Sequence, residues 1–329
     1  MSVMRGVRLH DLNDARVEEL PVPEPGPRDL LVLIEACGIC PTDVRKFLIG
    51  VNDGEYPFNP GHEWIGRVEE VGSQVEGWSV GQRVYGDTYA GYAEYATLSI
   101  DPVPWSYGPL AMDDDVPTDR AVFVEPLADC LHAIHDQAKL VAGERLVVVG
   151  AGQMGLQMVA VGALAGASVH VVEPRADRRE LALGLGAESA SDADGWAEKV
   201  KDWSGGRGAD VVVLAIGRAE LVGPAIAALA HRGRIVLFAG FGNHGEALVD
   251  VNRLHYKEMS IIGSEWIGVP PNDQRGRYEQ ARQLLTDGTL KLESLVTAHC
   301  DLDGVAGAFD DVANQRVLKT VLFPGGVPR

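Results

Sequence analysis

Cysteine is scarce in this chain. Four in 329 residues (Cys37, Cys40, Cys130 and Cys300) are too few and too scattered for a disulfide framework. In a reducing compartment, a cysteine beside turn residues reads as a thiol or a metal ligand. Basic residues are outnumbered, 29 against 47, leaving a formal charge of −18 at pH 7. That excess of acid argues against a nucleic-acid partner and against an anionic membrane surface. No apolar run approaches the ~18 residues of a membrane span, and the first six residues lack the apolar core of a secretory leader. A cytoplasmic protein is therefore expected. Internal repeats and low-complexity segments are missing too.

What is present is ordinary globular composition, 46% hydrophobic, over a length sufficient for two domains. The most informative stretch is Leu146-Val-Val-Val-Gly150-Ala-Gly152-Gln153-Met154-Gly155. A short β-branched run feeds directly into Gly-x-Gly-x-x-Gly, the pattern of a strand turning into a helix around a pyrophosphate. The first glycine permits the tight turn, the second lets backbone approach the phosphates, and the third lets the helix pack on the strand. The helix N-terminus then offers free N–H groups to an anion. Residues 153–165 continue as a helix, and 168–173 form a second strand ending on Glu173, placed to bind a ribose 2′-hydroxyl.

Residues 1 to about 120 read as short strands punctuated by turns, at 30–36, 65–71, 82–85 and 92–98, with one helix near 41–48. Alternating prolines at 21, 23, 25 and 27 mark an extended connection. From about residue 119 helices and strands alternate: helix 125–138, strand 145–149, helix 153–165, strand 168–173, helix 175–185, strand 210–215, helix 219–231, strand 234–239 and strand 259–263. Such βα units imply a parallel sheet with right-handed crossovers. A helix at 273–285, further short strands and a final strand near 319–323 complete the chain.

A second constellation carries chemistry. Cys40 follows the strand at 30–36, His62 and Glu63 lie on the turn Pro60-Gly-His-Glu63, and Glu125 opens a helix. One thiolate, one imidazole and carboxylates suit a catalytic zinc with an open position. Spacing alone does not make a zinc motif here. Singly, each residue also reads as a buried thiol, a capping histidine or a first-turn acid.

The ordered landmarks go further. Gly38-Ile-Cys40-x-Thr42-Asp43, Gly61-His-Glu63, Val68-Glu-Glu-Val-Gly72, Gly81-Gln-Arg-Val84, Tyr92-Ala-Glu-Tyr95, Glu125-Pro-Leu-Ala128 and the glycine loop occur in sequence. In this the chain resembles the medium-chain dehydrogenase/reductase superfamily, in its zinc-dependent alcohol and polyol (sorbitol- or threonine-dehydrogenase-like) branch. The resemblance implies an α/β protein: a Rossmann doubly wound parallel sheet (123–265) inserted into a GroES-like β domain (1–122 and 266–329). It implies Cys40 and His62 as zinc ligands, with Glu63 or Glu125 as the third, and Thr42 as the hydroxyl that meets the reacting alcohol. The glutamate at 125 implies a polyol, sugar or cyclitol rather than a simple hydrophobic alcohol. The expected reaction moves a hydride between a secondary alcohol or ketone and NAD(H). A homodimer or homotetramer goes with the resemblance.

Cofactor contacts are expected from Gly150, Gly152, Gln153, Met154, Gly155, Glu173 and Arg178, and from Gly217, Ala239, Gly240, Ser264 and Lys319. Glu173 favours NAD, while Arg175, Arg178 and Arg179 keep NADP open. Trp64, Tyr56 and Trp266 are candidates to line a sugar pocket, and His132 and His135 a weak one for a stray metal. The alternatives are a zinc-free, NADP-dependent quinone or enone reductase, and a non-catalytic dinucleotide binder.

Two departures from the family pattern stand out. Only 85–91 separates landmarks between which many relatives carry a four-cysteine lobe, so one catalytic zinc and no structural zinc is expected. Arg45 stands where many relatives have a proton-relaying histidine. Arginine cannot serve by deprotonation, so it contacts an anion, pairs with a surface acid, or leaves the relay to another group.

Overall fold

Alternation of buried and exposed side chains begins at once. The computed structural model describes residues 2–50, 56–102, 106–241, 245–266 and 268–328. In it β1 (Val3–Asp11) and β2 (Asp14–Pro21) pair antiparallel as a sheet of their own, with Asn13 at φ 57° in the turn. The sequence reading passed over this hairpin because arginines and acids interrupt its apolar positions. The chain divides into two compact units, 1–128 with 267–329, and 129–266.

The first unit centres on β3 (Asp29–Gly38), whose Leu30, Val32, Ile34 and Cys37 side chains are buried in the core. Helix α1 (Pro41–Ile49) follows it, and β4 (Trp64–Val71), β5 (Arg83–Gly86), β6 (Tyr95–Ser99) and β7 (Leu110–Ala111) extend the sheet. After β7 come α2 (Thr118–Ala121) and α3 (Val124–Leu131). The 85–91 segment is held without any lobe. Buried Asp87 accepts from Ser106 Oγ and Tyr107 N, and Trp64 Nε1 donates to Thr88 O at 2.8 Å.

The second unit is a six-stranded parallel sheet. Its strands are β8 (Arg145–Val149), β9 (Ser168–Val172), β10 (Ser189–Ser191), β11 (Ala209–Leu214), β12 (Leu229–Leu237) and β13 (Ser260–Gly263), ordered β10-β9-β8-β11-β12-β13. Near-continuous valine in β8, β9 and β11 is what a strand buried on both faces requires. Helices α4 (Gln153–Leu164), α5 (Ala176–Gly184), α6 (Trp196–Trp203), α7 (Val222–Ala228) and α8 (Val251–Lys257) connect the strands. The reversal of strand order beside β8 is the switch point where such sheets bind ligands.

Two expected helices change character. The one at 125–138 is α3 followed by a π-helix, His132–Gln137, closed by Ala138 N donating to Ala133 O at 2.8 Å. The one at 219–231 is a single 3₁₀ turn (Ala219–Leu221) and then α7. Leu229 already pairs with Ala209, so ladder bonding ends the alanine-rich helix early.

The chain then returns to the first unit with α9 (Pro271–Thr286), β14 (Val296–Cys300), α10 (Val305–Ala313) and β15 (Lys319–Leu322). Strand β15 pairs parallel with β14 and antiparallel with β3, giving the order β14-β15-β3-β4-β5-β7 with β6 on β3.

Candidate active site

Cys40 caps α1. Its backbone is extended (φ −92°, ψ 140°), Pro41 fills the first helical position, where no N–H is needed, and its Sγ accepts from Thr42 N at 3.5 Å. His62 and Glu63 sit on the turn entering β4, which Gly38 N pins by donating to Glu63 O at 2.8 Å. One ligand atom from each of Cys40, His62 and Glu63 can be chosen so that all lie within 4.8 Å of one another. Among the described residues no other group of three histidines, cysteines or acids is so assembled. Glu125, named beside them from sequence, lies outside this cluster. His132 and His135 form no such group either.

The surroundings are built to hold a histidine. Asp43 is fully buried and accepts from Gly61 N at 3.2 Å and Tyr92 Oη at 3.1 Å. Its Oδ2 stands 3.3 Å from His62 Nδ1, an electrostatic contact, yet Nδ1 makes no hydrogen bond of standard geometry. Burial pulls the imidazole down, but Asp43 and Cys40 outweigh it and raise its pKa well above the ordinary value. Burial, then Glu63, raises the Cys40 thiol. A partly buried thiol, an imidazole and a carboxylate thus lie close together, and the donor set fits zinc.

Lys319 was placed among the cofactor contacts from sequence; in the structure its ammonium meets Glu63. The side chain has no exposed surface, and Nζ donates to Glu63 Oε2. Burial pulls Lys319 down while Glu63 and Cys40 raise it further, so it remains charged. Glu125 keeps some accessible surface but lies deep among protein atoms. Burial, with Glu63 and Asp87 and against His62 and Lys319, pushes its carboxyl up to about 7. Its backbone N–H donates to Tyr85 Oη at 3.2 Å.

On the other side of His62 stands Tyr89, its ring 5.1 Å away, edge on. Lys46 Nζ donates to Tyr89 Oη and lies 4.0 Å from that ring's centre and 4.7 Å from Phe58's. Sequence reasoning singled out Arg45, missed Lys46 and Tyr89, and quoted Asp43 and Tyr92 as landmarks without a role at the site. The i, i+3 relation of Asp43 and Lys46 on α1 was the available signal. Arg45 is exposed, with no ion pair among the described residues. Of the aromatics, Trp64 is wholly buried core and Trp266 packs on His132 (5.5 Å between rings), while Tyr56 Oη reaches Lys46 O at 3.3 Å.

In the second unit the glycine loop has the expected form. Gly150 adopts φ 98°, and a Cβ at Gly155 would collide with the Gly150 carbonyl oxygen, whereas one at Gly152 would meet nothing. Gln153 begins α4 with a buried Nε2 that has no partner, and Met154 follows. Ser264 Oγ is likewise buried and unpartnered. Gly217 approaches Gly240 so closely that a Cβ would strike the Gly240 carbonyl, and Ala239 N donates to Leu214 O at 3.3 Å. Glu173 is buried and braces the loop, accepting from Ala151 N at 2.8 Å and Arg175 N at 3.0 Å. Arg178 is also buried, while Arg179 donates to the Glu173 and Pro174 carbonyls, each at 2.8 Å. An open glycine, a helix start and orphaned polar atoms fit a dinucleotide.

Comparison with known proteins agrees with this geometry. Residues 26–103 match the alcohol dehydrogenase GroES-like domain, and residues 150–287 match the zinc-binding dehydrogenase family. Erythritol/L-threitol dehydrogenase of Mycolicibacterium smegmatis is 28% identical, covering 98% of each chain. The 2-dehydro-3-deoxy-L-galactonate 5-dehydrogenase of Pseudoalteromonas atlantica is also 28% identical, over 83% of this chain and 84% of its own. A zinc-binding dehydrogenase from Sinorhizobium meliloti 1021, solved bound to NADP, superposes with a TM-score of 0.87 at 25% identity, covering 98% of this chain and all of that one. Two family matches in the expected order, relatives aligned end to end and a shared fold lead to one conclusion: the chain belongs to the medium-chain dehydrogenase/reductase superfamily, in its zinc-type alcohol and polyol dehydrogenase branch.

Proposed function

We propose that the protein is a zinc-dependent oxidoreductase that passes a hydride between NAD(H) and a secondary alcohol or ketone, the alcohol being a polyol, sugar or cyclitol. The observation that carries this is the cluster of Cys40, His62 and Glu63 within 4.8 Å, against a histidine nitrogen that faces Asp43 without a proper hydrogen bond. When bound, zinc supplies a Lewis acid for the alcohol and the nicotinamide takes the hydride.

The chain's own residues do the rest. Asp43 turns the His62 ring so that Nδ1 faces the carboxylate, leaving Nε2 for the metal. Thr42, two residues past Cys40, would accept a hydrogen bond from the alcohol and relay its proton, passing the Thr42 hydroxyl proton on to a cofactor ribose hydroxyl or water. Lys319 holds Glu63 through its buried ammonium and neutralises the carboxylate. The glycine loop and the start of α4 hold the pyrophosphate. NAD is favoured over NADP because the Glu173 carboxylate repels a 2′-phosphate, Arg179 is committed to two carbonyls, and Arg175 pairs with Asp177 at 2.7 Å. The relative carrying NADP makes the comparison of both cofactors worthwhile.

The test is spectrophotometric. Oxidation of a panel of polyols and cyclitols should produce NADH faster than NADPH, cease after dialysis against a chelator, and return with zinc. Turnover that survives complete chelation would overturn the zinc reading. Thr42→Val should lower kcat by about 10²–10⁴-fold, the usual contribution of a positioned proton acceptor, with zinc and NAD still bound.

A further inference from the structure

Lys46 is a half-buried cation that faces the proposed metal cluster across one aromatic ring and, among the described residues, has no carboxylate partner. Its ammonium lies against two aromatic rings rather than against an acid. Among the described residues no acid lies within ion-pair distance of Nζ, which donates a hydrogen bond to the Tyr89 hydroxyl. Asp43 feels the charge from further off, but it is occupied by Tyr92, Gly61 and His62. An ammonium has three donors, so two remain.

The spacing is informative. Tyr89 lies 5.1 Å from the His62 ring and Lys46 Nζ lies 4.0 Å from Tyr89, so the cation stands no more than about 9 Å from the imidazole, within the length of a short polyol chain. Phe58, 4.9 Å from Tyr89, backs the pair, with its ring centre 4.7 Å from the ammonium. Cys40, Thr42 and Lys46 all belong to α1 and its cap, so one helix would present both the reacting end and the cation.

Resting on the dehydrogenase reading above, we propose that Lys46 and Tyr89 form an anion subsite, and that the preferred substrate is a polyol or sugar carrying a phosphate or carboxylate at the end remote from the oxidised carbon. A neutral polyol leaves the ammonium with the Tyr89 hydroxyl and the faces of two aromatic rings, and no anion. An anion takes up its free donors in charge-assisted hydrogen bonds, which are the strong kind.

The experiment compares a pentitol, its terminal phosphate ester and an aldonate of equal length, in the wild-type protein and in Lys46→Met and Lys46→Arg. In the wild type, kcat/KM should be at least 10-fold higher for one of the anions, and which anion wins identifies the group. In Lys46→Met the ratio of anionic to neutral kcat/KM should fall at least 10-fold, and Lys46→Arg should restore most of it. A merely structural lysine would depress both substrates alike and leave the ratio standing, which would overturn the proposal. So would a wild type that shows no preference. Calorimetric titration with the pentitol phosphate needs no turnover. Lys46-dependent binding without oxidation of any alcohol would sink the dehydrogenase reading and keep the subsite, whereas oxidation of neutral polyols with no anion binding would do the reverse.

Discussion

A lysine with no exposed surface survives in a protein core only where a carboxylate meets it, and Lys319 and Glu63 are such a pair. Removing one partner of a buried pair strands the other charge. Lys319→Met is therefore expected to lower the unfolding free energy of the metal-free protein by about 3–5 kcal/mol. Glu63→Gln combined with Lys319→Met should recover much of that loss, because neither charge is then left alone. Urea titration of the two singles and the double checks it; equal loss in Lys319→Met and in the double would refute the pairing. Cys40, His62 and Glu63 were singled out because ordered family landmarks contain them, not because their spacing makes a zinc motif. The Lys319–Glu63 contact was not, since 256 positions separate the partners. It follows from β15 pairing antiparallel with β3, whose last residue is also tied to the Glu63 backbone. Lys46 escaped for a different reason: attention to the position of a familiar proton relay fell on its exposed neighbour, Arg45.

At the scale of elements, the strand–loop–helix around Gly150 was legible because glycine spacing there is set by steric contact. The same contacts separate two roles. Gly155→Ala forces a methyl against the Gly150 carbonyl and should cost about 1–3 kcal/mol of stability by overpacking. Gly152→Ala meets open space in the protein, so its stability should stay within about 0.5 kcal/mol of wild type. A methyl there would meet the phosphates, however, and NAD affinity should drop at least about tenfold, or 1.4 kcal/mol. Thermal melts with and without NAD distinguish the two; unchanged affinity in Gly152→Ala would remove the phosphates from that position.

Strand β10 illustrates what periodicity cannot reveal. It has only three residues and is clamped by His170 of β9, which lies 2.7 Å from Ser189 Oγ and 3.0 Å from Ser191 Oγ. Burial lowers the His170 pKa to about 4, with Glu188 opposing. The folded state thus refuses a proton that the unfolded chain takes up near pH 6.5. This ring's effect is absent above about pH 6.5 and destabilises progressively down to about pH 4, by at most about 1.4 kcal/mol per pH unit. Denaturation of wild type and His170→Gln across that range should show the variant losing less stability on acidification; parallel curves would contradict the assignment. Helix α7 and β12 were misjudged for a related reason. An alanine-rich run has helical propensity, but Gly233 and Arg232, at φ 63°, allow a bulged strand that starts pairing at Leu229.

For the molecule as a whole, the change from short strands to alternating helices and strands, and back again, was enough to expect a parallel sheet set into a β domain. The hairpin of β1 and β2 and helices α6, α8 and α10 were not anticipated. None is longer than 9 residues, too short for a period to stand out. Charge described the chain more by exclusion than by function: −18 overall says nothing of the cations near the site, whose importance lies in where they stand. Among the described residues no helix is long and apolar enough to cross a membrane.

The central claim is that one metal ion is held by residues gathered from the cap of α1 and the turn before β4. The most direct test is elemental analysis of freshly purified protein beside its Cys40→Ala and His62→Ala variants, each checked for folding by circular dichroism. The account predicts about one zinc per chain in the wild type, in keeping with a single catalytic site that leaves one coordination position open, and almost none in either folded variant. Zinc bound undiminished in both variants, or a wild type that carries no metal and takes up none on titration, would contradict it.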